Sequence, residues 1–175
     1  MTMLDIDLSR NALEVAPDLL QYHLCVRDAD GEIRRAPIRE VEAYHGFEDK
    51  ASHAHRGMTP RNAVMFGPPG YWYVYLCYGV HWLLNLVTAE VGYPSAVLIR
   101  GVGPFDGPGK LTKALGIDKR YDGKLCGPDS GLWIERIPGV NPENHMSKYA
   151  ITPRIGVNSA GSEWAAKPWR FVTEG

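Results

Sequence analysis

The sequence predicts an α+β fold: a single compact domain with a mainly antiparallel, curved β-sheet, short flanking helices and a protruding β-hairpin. A chain of 175 residues has the length of one ordinary domain. Its content of 45% hydrophobic and 22% charged residues is typical of a globular protein. The candidate strands follow one another with helices between only some of them, which favours an antiparallel sheet over a doubly wound α/β fold. We therefore expect residues 1–175 to form one domain, with residues 1–10 disordered.

The first elements are a short helix and a hairpin. The triplet Ala-Pro-Asp at residues 16–18 indicates the start of a helix. Residues 22–26 and the long arm 32–44 flank the Asp- and Gly-containing turn 28–31, so they are expected to pair. Pro37 is expected to interrupt the long arm.

Beyond Pro37, side chains alternate between the two faces of the strand. Alternation places on one face Ile38, Glu40, Glu42 and Tyr44, and on the other Arg39, Val41 and Ala43. Glu40 and Glu42 would then lie about 7 Å apart. Neighbouring glutamates on one strand more often mean one functional acid and one solvated partner than the facing pair of a glycoside hydrolase.

The middle of the chain is expected to hold a helix and a second hairpin. Residues 48–55 are compatible with a short helix, because two acidic residues fall in its first turn. Residues 71–77 and 80–88 are rich in aromatic and β-branched side chains, with Tyr78 and Gly79 at the turn. The phenols that alternation would place on one face are Tyr71, Tyr73 and Tyr75. Such a row is either a stacking surface for a base or sugar or part of the core.

Later elements are shorter. Residues 95–102 form an apolar strand candidate with one charge, Arg100, which is expected to be paired or functional. Residues 110–115 are expected to form a helix that ends at Gly116 and whose first amides are suited to a phosphate. Further strand candidates are residues 133–135, 154–157 and 169–172.

Composition limits the classes of function. The net charge of −1 does not indicate a nucleic-acid partner, although residues 51–124 carry eight basic and four acidic side chains and are suited to a local phosphate-binding face. Neither a signal peptide nor a long apolar run is present in these residues, so we expect an intracellular protein without a membrane partner. Three separated cysteines are expected to be free thiols, and the histidines have no metal-site spacing, so we expect neither a metal nor a cofactor.

Several blocks of the sequence share their order and spacing with a known family. They are EVEAY (40–44), EDKASH (48–53), TPRN (59–62), MF (65–66), PG (69–70), YVYLCYG (73–79), GKL (109–111), RIGV (154–157) and KPWRF (167–171), with Asn85 and Arg100 between them. In these blocks the chain resembles the alkyladenine (methylpurine) DNA glycosylases, from about Leu19 onward. The resemblance implies a monomeric, monofunctional base-excision-repair enzyme acting on duplex DNA in the cytoplasm or nucleoid of a prokaryote-like cell. Its substrates would be purines such as 3-methyladenine, hypoxanthine and ethenoadenine, flipped out of the helix.

The resemblance also implies roles for individual residues. Carried over by position, Glu42 would be the general base that activates water, and Arg100 with the backbone carbonyl of Ile155 would hold that water. The pocket around the flipped base would be formed by Tyr44, His53, Tyr75 and Asn85, with Asn85 acting against normal guanine. Tyr78 would enter the minor groove and fill the gap. Other DNA contacts would come from Thr59, Arg61, Met65, Val80 and Lys110.

The physical requirements of base excision favour the same function. An enzyme that acts on a stacked base must extrude it and therefore needs a plug and an aromatic pocket. A cationic sugar in the transition state needs a nearby anion and a positioned water. No lysine falls within the apolar strands as a Schiff-base nucleophile would, which favours simple hydrolysis. Two alternatives stay open: a non-catalytic nucleic-acid-binding domain on the same fold, and a carbohydrate hydrolase that uses Glu40 and Glu42.

Overall fold

Nine strands form the sheet in the computed structural model, which describes residues 5–145 and 148–174. Their bounds are β1 Tyr22–Arg27, β2 Ile33–His45, β3 Trp72–Cys77, β4 His81–Val87, β5 Ser95–Val102, β6 Phe105–Asp106, β7 Leu132–Arg136, β8 Tyr149–Thr152 and β9 Arg170–Thr173. The order along the main path is β3-β4-β5-β2-β1-β7, while β6 pairs with β5, and β9 with β2 and β8. Each of these pairings is antiparallel. The α+β prediction is confirmed.

The α-helices of the described residues are short, with four to eight residues each. They are α1 Ala12–Leu19, α2 Pro108–Leu115, α3 Pro142–His145 and α4 Ser162–Ala165. The prediction that a helix starts at residues 16–18 is wrong, because the Asn11 side chain accepts a hydrogen bond from the Glu14 N–H and caps α1 four residues earlier. Pro17 lies inside that helix. The predicted end of α2 is confirmed, with Gly116 in a left-handed conformation at φ 68°.

Strand β2 runs through Pro37 without the interruption we expected. The strand changes neighbour there, because residues 33–37 pair with β1 and residues 38–45 pair with β5. A register shift follows between Ile38 and Glu40. It places Ile38 in the same buried cluster as Val41, so the predicted common face of Ile38 and Glu42 is wrong.

Two other sequence-predicted elements are absent from the described residues. Residues 48–55 form turns instead of a helix, because the Asp49 carboxylate accepts the N–H groups of His45 and Ala51, both at 3.1 Å. Residues 154–157 form no strand, since Gly156 has φ 75° and the neighbouring strand β8 ends at Thr152.

The N-terminal residues that we expected to be loose make contacts where the structure describes them; residues 1–4 lie outside the described part. Asp5 accepts a hydrogen bond from the Tyr22 hydroxyl, and Leu8 is buried in the main core. Cys25 and Cys126 are buried free thiols, and Cys77 is half-buried. None of the helices that the described residues form has the length and apolar character of a membrane span.

One cross-strand row of the sheet places the site. Glu42 on β2 is paired with Leu98 on β5, Leu98 with Asn85 on β4, and Asn85 with Tyr73 on β3. Directly paired residues point to the same face of a sheet. A row that begins at a carboxylate therefore ends at an aromatic ring, and the core lies on the opposite face around Val41, Leu84 and Ile99.

Candidate active site

A cavity of about 620 Å³ opens above this row, between the β3–β4 hairpin, the turns at residues 50–53, the start of α2 and residues 155–160. The predicted site residues that line it are Tyr44, His53, Met65, Tyr75, Tyr78, Asn85, Arg100, Lys110 and Ile155. Sequence-distant residues are thus brought to one cavity. Glu42, Thr59, Arg61 and Val80 do not line it.

Glu42 lies directly behind the cavity wall and has no exposed surface. Its Oε1 accepts a hydrogen bond from the Tyr44 hydroxyl at 2.9 Å, and its Oε2 accepts one from the Ile155 N–H at 2.6 Å. Burial raises the pKa of Glu42, whereas the Arg100 charge and these two hydrogen bonds oppose that rise. The result is a carboxylate more basic than an exposed glutamate.

Arg100 connects both neighbouring glutamates. Its Nε donates to Oε1 of Glu40 at 2.9 Å, and its Nη1 lies 3.5 Å from Oε1 of Glu42. The register shift between β2 and β5 at this position changes the direction of the Arg100 side chain. Glu40 also accepts the Arg170 Nε at 2.8 Å. Because both glutamates bind one arginine on one sheet face, they do not form the facing pair that a carbohydrate hydrolase needs.

Aromatic rings form the opposite wall of the cavity. The ring of His53 lies 4.1 Å from that of Tyr75, centroid to centroid, and the rings of Tyr73 and Tyr75 are 5.2 Å apart. His53 Nδ1 is 3.3 Å from the Tyr73 hydroxyl. Burial and the Arg61 charge lower the pKa of His53, which favours a neutral ring. Tyr71 does not belong to this wall, since it forms an isolated bridge with Leu125.

Asn85 is buried at the cavity floor between the aromatic wall and the glutamates. Its Nδ2 donates to the Tyr73 carbonyl at 3.2 Å, which fixes the side-chain amide on the strand beside it. Burying this amide requires such a partner. The amide therefore presents a fixed polar group to any ligand in the cavity.

The hairpin tip projects from the cavity rim. Tyr78 is 93% exposed and has a left-handed backbone, φ 51°, and Val80 is 68% exposed. An apolar ring and a β-branched side chain held this far from the core are available to a ligand, not to packing. The structure thus places both at one protruding point.

The remaining predicted DNA contacts differ in their hydrogen-bond partners and in their exposure. The Thr59 N–H donates to Asn62 Oδ1 at 2.7 Å, and Arg61 donates to the Leu76 carbonyl with its guanidinium 5.9 Å from the Tyr75 ring. Met65 is buried against Ser52. Lys110 is exposed in the first turn of α2.

The sequence interpretation missed an ion pair that is fully buried beside the site. Arg154 binds Asp49 through two hydrogen bonds of 2.7 and 3.0 Å, and both side chains are fully buried. The only signal in the sequence was that both residues fall within blocks of the family resemblance. Within the described part of the chain, no three His, Cys, Asp or Glu side chains are grouped to hold a metal ion.

Comparisons with known proteins agree on one family. The model of the family described as Methylpurine-DNA glycosylase (MPG) matches residues 6–175. Three relatives, each named "Putative 3-methyladenine DNA glycosylase", come from Anaeromyxobacter dehalogenans, Methanocella arvoryzae and Bacillus cereus. The Anaeromyxobacter protein is 48% identical over 83% of this chain and 70% of its own length. The Methanocella protein is 42% identical over 93% of this chain and 87% of its own length. The Bacillus protein is 42% identical over 94% of this chain and 92% of its own length.

Proposed function

Because the chain belongs to the methylpurine-DNA glycosylase family and is therefore a DNA glycosylase, we propose that it excises alkylated or deaminated purines from duplex DNA by direct hydrolysis. Its substrates are purines of the 3-methyladenine, hypoxanthine and ethenoadenine type. The observation that carries the proposal is the buried Glu42 carboxylate beside an aromatic cavity of about 620 Å³. A cavity of that size accommodates one flipped purine nucleotide.

The base is bound by stacking and by polar contacts. The rings of Tyr44, His53 and Tyr75 provide aromatic surfaces for a base that has left the helix. Asn85 presents its amide at the floor, where it disfavours the exocyclic amine of guanine. Tyr78 enters the minor groove and takes the place of the extruded nucleotide, because an exposed ring at a hairpin tip can stack between base pairs.

Hydrolysis then needs one base and one water. Glu42 takes a proton from the water, the water oxygen forms a bond to C1′ of the sugar, and the bond between C1′ and the purine nitrogen breaks with its electron pair passing to the purine. A cationic alkylpurine thus leaves as the neutral base, and a neutral purine takes up a proton as it leaves. The negative charge of Glu42 also stabilises the cationic sugar. Arg100 and the Ile155 carbonyl hold the water. Since Glu42 has no exposed surface and does not line the cavity, the cavity wall has to shift as the nucleotide enters in order to admit the water to Oε2.

The reaction is monofunctional in this proposal. Lys50 and Lys110 line the cavity but are exposed, so their amines are not desolvated as a Schiff-base nucleophile would require. The enzyme acts as a monomer on damaged DNA, in the cytoplasm or nucleoid of a prokaryotic cell. Treatment with borohydride during turnover is expected to trap no covalent complex with DNA.

Excision assays test the proposal. The protein is incubated with duplexes that contain hypoxanthine, ethenoadenine or 3-methyladenine, and abasic sites are cleaved with alkali. Cleavage at the lesion, with an undamaged duplex as control, is the expected result. Binding of lesion DNA without abasic sites would instead indicate the non-catalytic nucleic-acid-binding domain.

A further inference from the structure

We infer that the buried ion pair of Arg154 and Asp49 is a positioning device for the Glu42 carboxylate. The inference rests on the proposed role of Glu42 as general base. Arg154 directly precedes Ile155, whose N–H donates the 2.6 Å hydrogen bond to Glu42 Oε2. Fixing the side chain of one residue therefore fixes the donor of the next.

The Arg154 guanidinium is held from several sides. Its Nη1 and Nη2 bind the two oxygens of Asp49 at 2.7 and 3.0 Å. Nη1 also donates to the Ala43 carbonyl at 3.1 Å, and Nη2 to the Trp164 carbonyl at 3.3 Å. A bidentate arginine–carboxylate pair has a defined geometry, and full burial keeps water from competing for it.

Two aromatic rings complete the enclosure. The guanidinium carbon lies 4.8 Å from the ring centroid of Tyr44 and 4.8 Å from that of Trp169. Both distances fit cation–π contacts. Tyr44 also donates its hydroxyl hydrogen to Glu42 Oε1. Arg154 is therefore linked to both hydrogen-bond donors of the Glu42 carboxylate. The peptide bond links it to the Ile155 N–H, and its contact with the Tyr44 ring links it to the Tyr44 hydroxyl.

The chain around Ile155 has no strand ladder to hold it. Strand β8 ends at Thr152, and Gly156 has a left-handed φ of 75°. The Ile155 side chain is exposed and cannot anchor the segment by burial. The Arg154 side chain is the anchor closest to the Ile155 N–H, so loss of its geometry moves that donor.

The charge of Arg154, like its position, acts on the Glu42 carboxylate. The positive charge of Arg154 lowers the pKa of Glu42, opposing the effect of burial. The Arg154 Nε has no hydrogen-bond partner among the residues described.

Arg154→Lys tests the inference, with Arg136→Lys as the matched control. Arg136 is also an arginine bound to a carboxylate, Asp5, and it lies 4.9 Å from the ring centroid of Tyr22, in a network outside the cavity lining. Single-turnover excision from a hypoxanthine duplex at saturating enzyme should fall roughly 10- to 100-fold in Arg154→Lys, because a small misplacement of a reacting group costs about that much. Its DNA dissociation constant should stay within about threefold of wild type, and Arg136→Lys should match wild type.

The double variant separates positioning from a general structural role. If Arg154 acts through Glu42, adding Arg154→Lys to Glu42→Gln should reduce the rate little further. Losses that multiply in the double variant would overturn the inference, as would an unchanged rate in folded Arg154→Lys. If Arg154→Lys fails to fold, Asp49→Asn replaces it in the excision and binding measurements with the same expected rates, because it keeps the volume of the carboxylate while weakening the pair.

A titration distinguishes failure of this inference from failure of the proposed function. The Glu42 carboxyl carbon is followed by NMR in protein labelled with 13C-glutamate and assigned by its disappearance in Glu42→Gln. Arg154→Lys keeps the positive charge but should displace the Ile155 N–H, whose hydrogen bond lowers the pKa of Glu42, so Glu42 should titrate at higher pH in this variant than in wild type, and in Arg136→Lys it should not. If Glu42 titrates at higher pH in Arg154→Lys but the wild-type protein excises no base, the proposed function is rejected and the positioning role is retained. An unshifted titration would reject the positioning role.

Discussion

The main-chain N–H of Ile155 donates a 2.6 Å hydrogen bond to Oε2 of Glu42, although 113 positions separate the two residues in sequence. Oε1 of the same carboxylate is held by Tyr44. A carboxylate oxygen accepts more than one hydrogen bond, so Oε2 retains a position for a proton from water. The arrangement orients the carboxylate before any ligand is bound.

Replacing Glu42 with glutamine removes the base but keeps the shape of the side chain. We expect single-turnover excision to fall by roughly 10² to 10⁴-fold while lesion binding survives. Glu40→Gln is the matched control and should cost much less, because Glu40 binds Arg100 and Arg170 and does not bind the Ile155 N–H. A larger loss from Glu40→Gln would reverse the assignment of the two glutamates.

The excision rate should depend on pH through Glu42. A general base acts when deprotonated, so the rate rises as pH increases through its pKa. Because burial raises that pKa, the rise should be centred above the ordinary value of 4.5. Single-turnover rates measured across pH check this, and the same limb should be missing from the residual activity of Glu42→Gln. A limb centred at or below 4.5 contradicts the role of burial.

Tyr78→Ala should weaken insertion into DNA without weakening the fold. The side chain is 93% exposed, so its removal leaves no cavity in the protein. A stacked ring contributes about 1–3 kcal/mol per base contact, and lesion affinity or the flipped population should fall accordingly. Tyr78→Phe keeps the ring and should behave like wild type. Unchanged lesion affinity and single-turnover rates in Tyr78→Ala would show that the hairpin tip is not the plug.

Gly109 allows α2 to approach the β3–β4 hairpin next to its turn, where His81 begins β4. A Cβ at this position would lie 2.7 Å from Nδ1 and 2.8 Å from Cγ of His81, so Gly109→Ala forces a shift at the cavity rim. We expect a loss of about 1–3 kcal/mol in the free energy of unfolding, measured with urea, with part offset by better helix propensity. At Gly127 a Cβ would meet nothing within 4 Å, and Gly127→Ala should stay within about 0.5 kcal/mol of wild type. Equal stability of the two variants would contradict the close approach.

Local sequence patterns alone determined several elements. The strand at residues 95–102 agrees with β5, the turn at Tyr78 and Gly79 joins β3 to β4, and the helix in front of Gly116 ends where glycine predicts. These elements depend on neighbouring residues: an apolar run, a turn-forming pair and a residue that accepts a positive φ. The blocks of the sequence also indicated the family, because each block keeps its order and spacing.

Tertiary structure alone decided how the site is assembled. Asp49 was expected in a helix, yet its carboxylate is bound by Arg154, and the turns around it follow from that partner and from the backbone groups it accepts. Residues 154–157 look like a strand in sequence, but a buried arginine side chain and the positive φ of Gly156 hold them outside the sheet. The reason is that a buried charge must find its opposite charge wherever the fold brings it, and that partner lies 105 positions away. Local sequence propensity carries no information about a contact between residues so far apart in sequence.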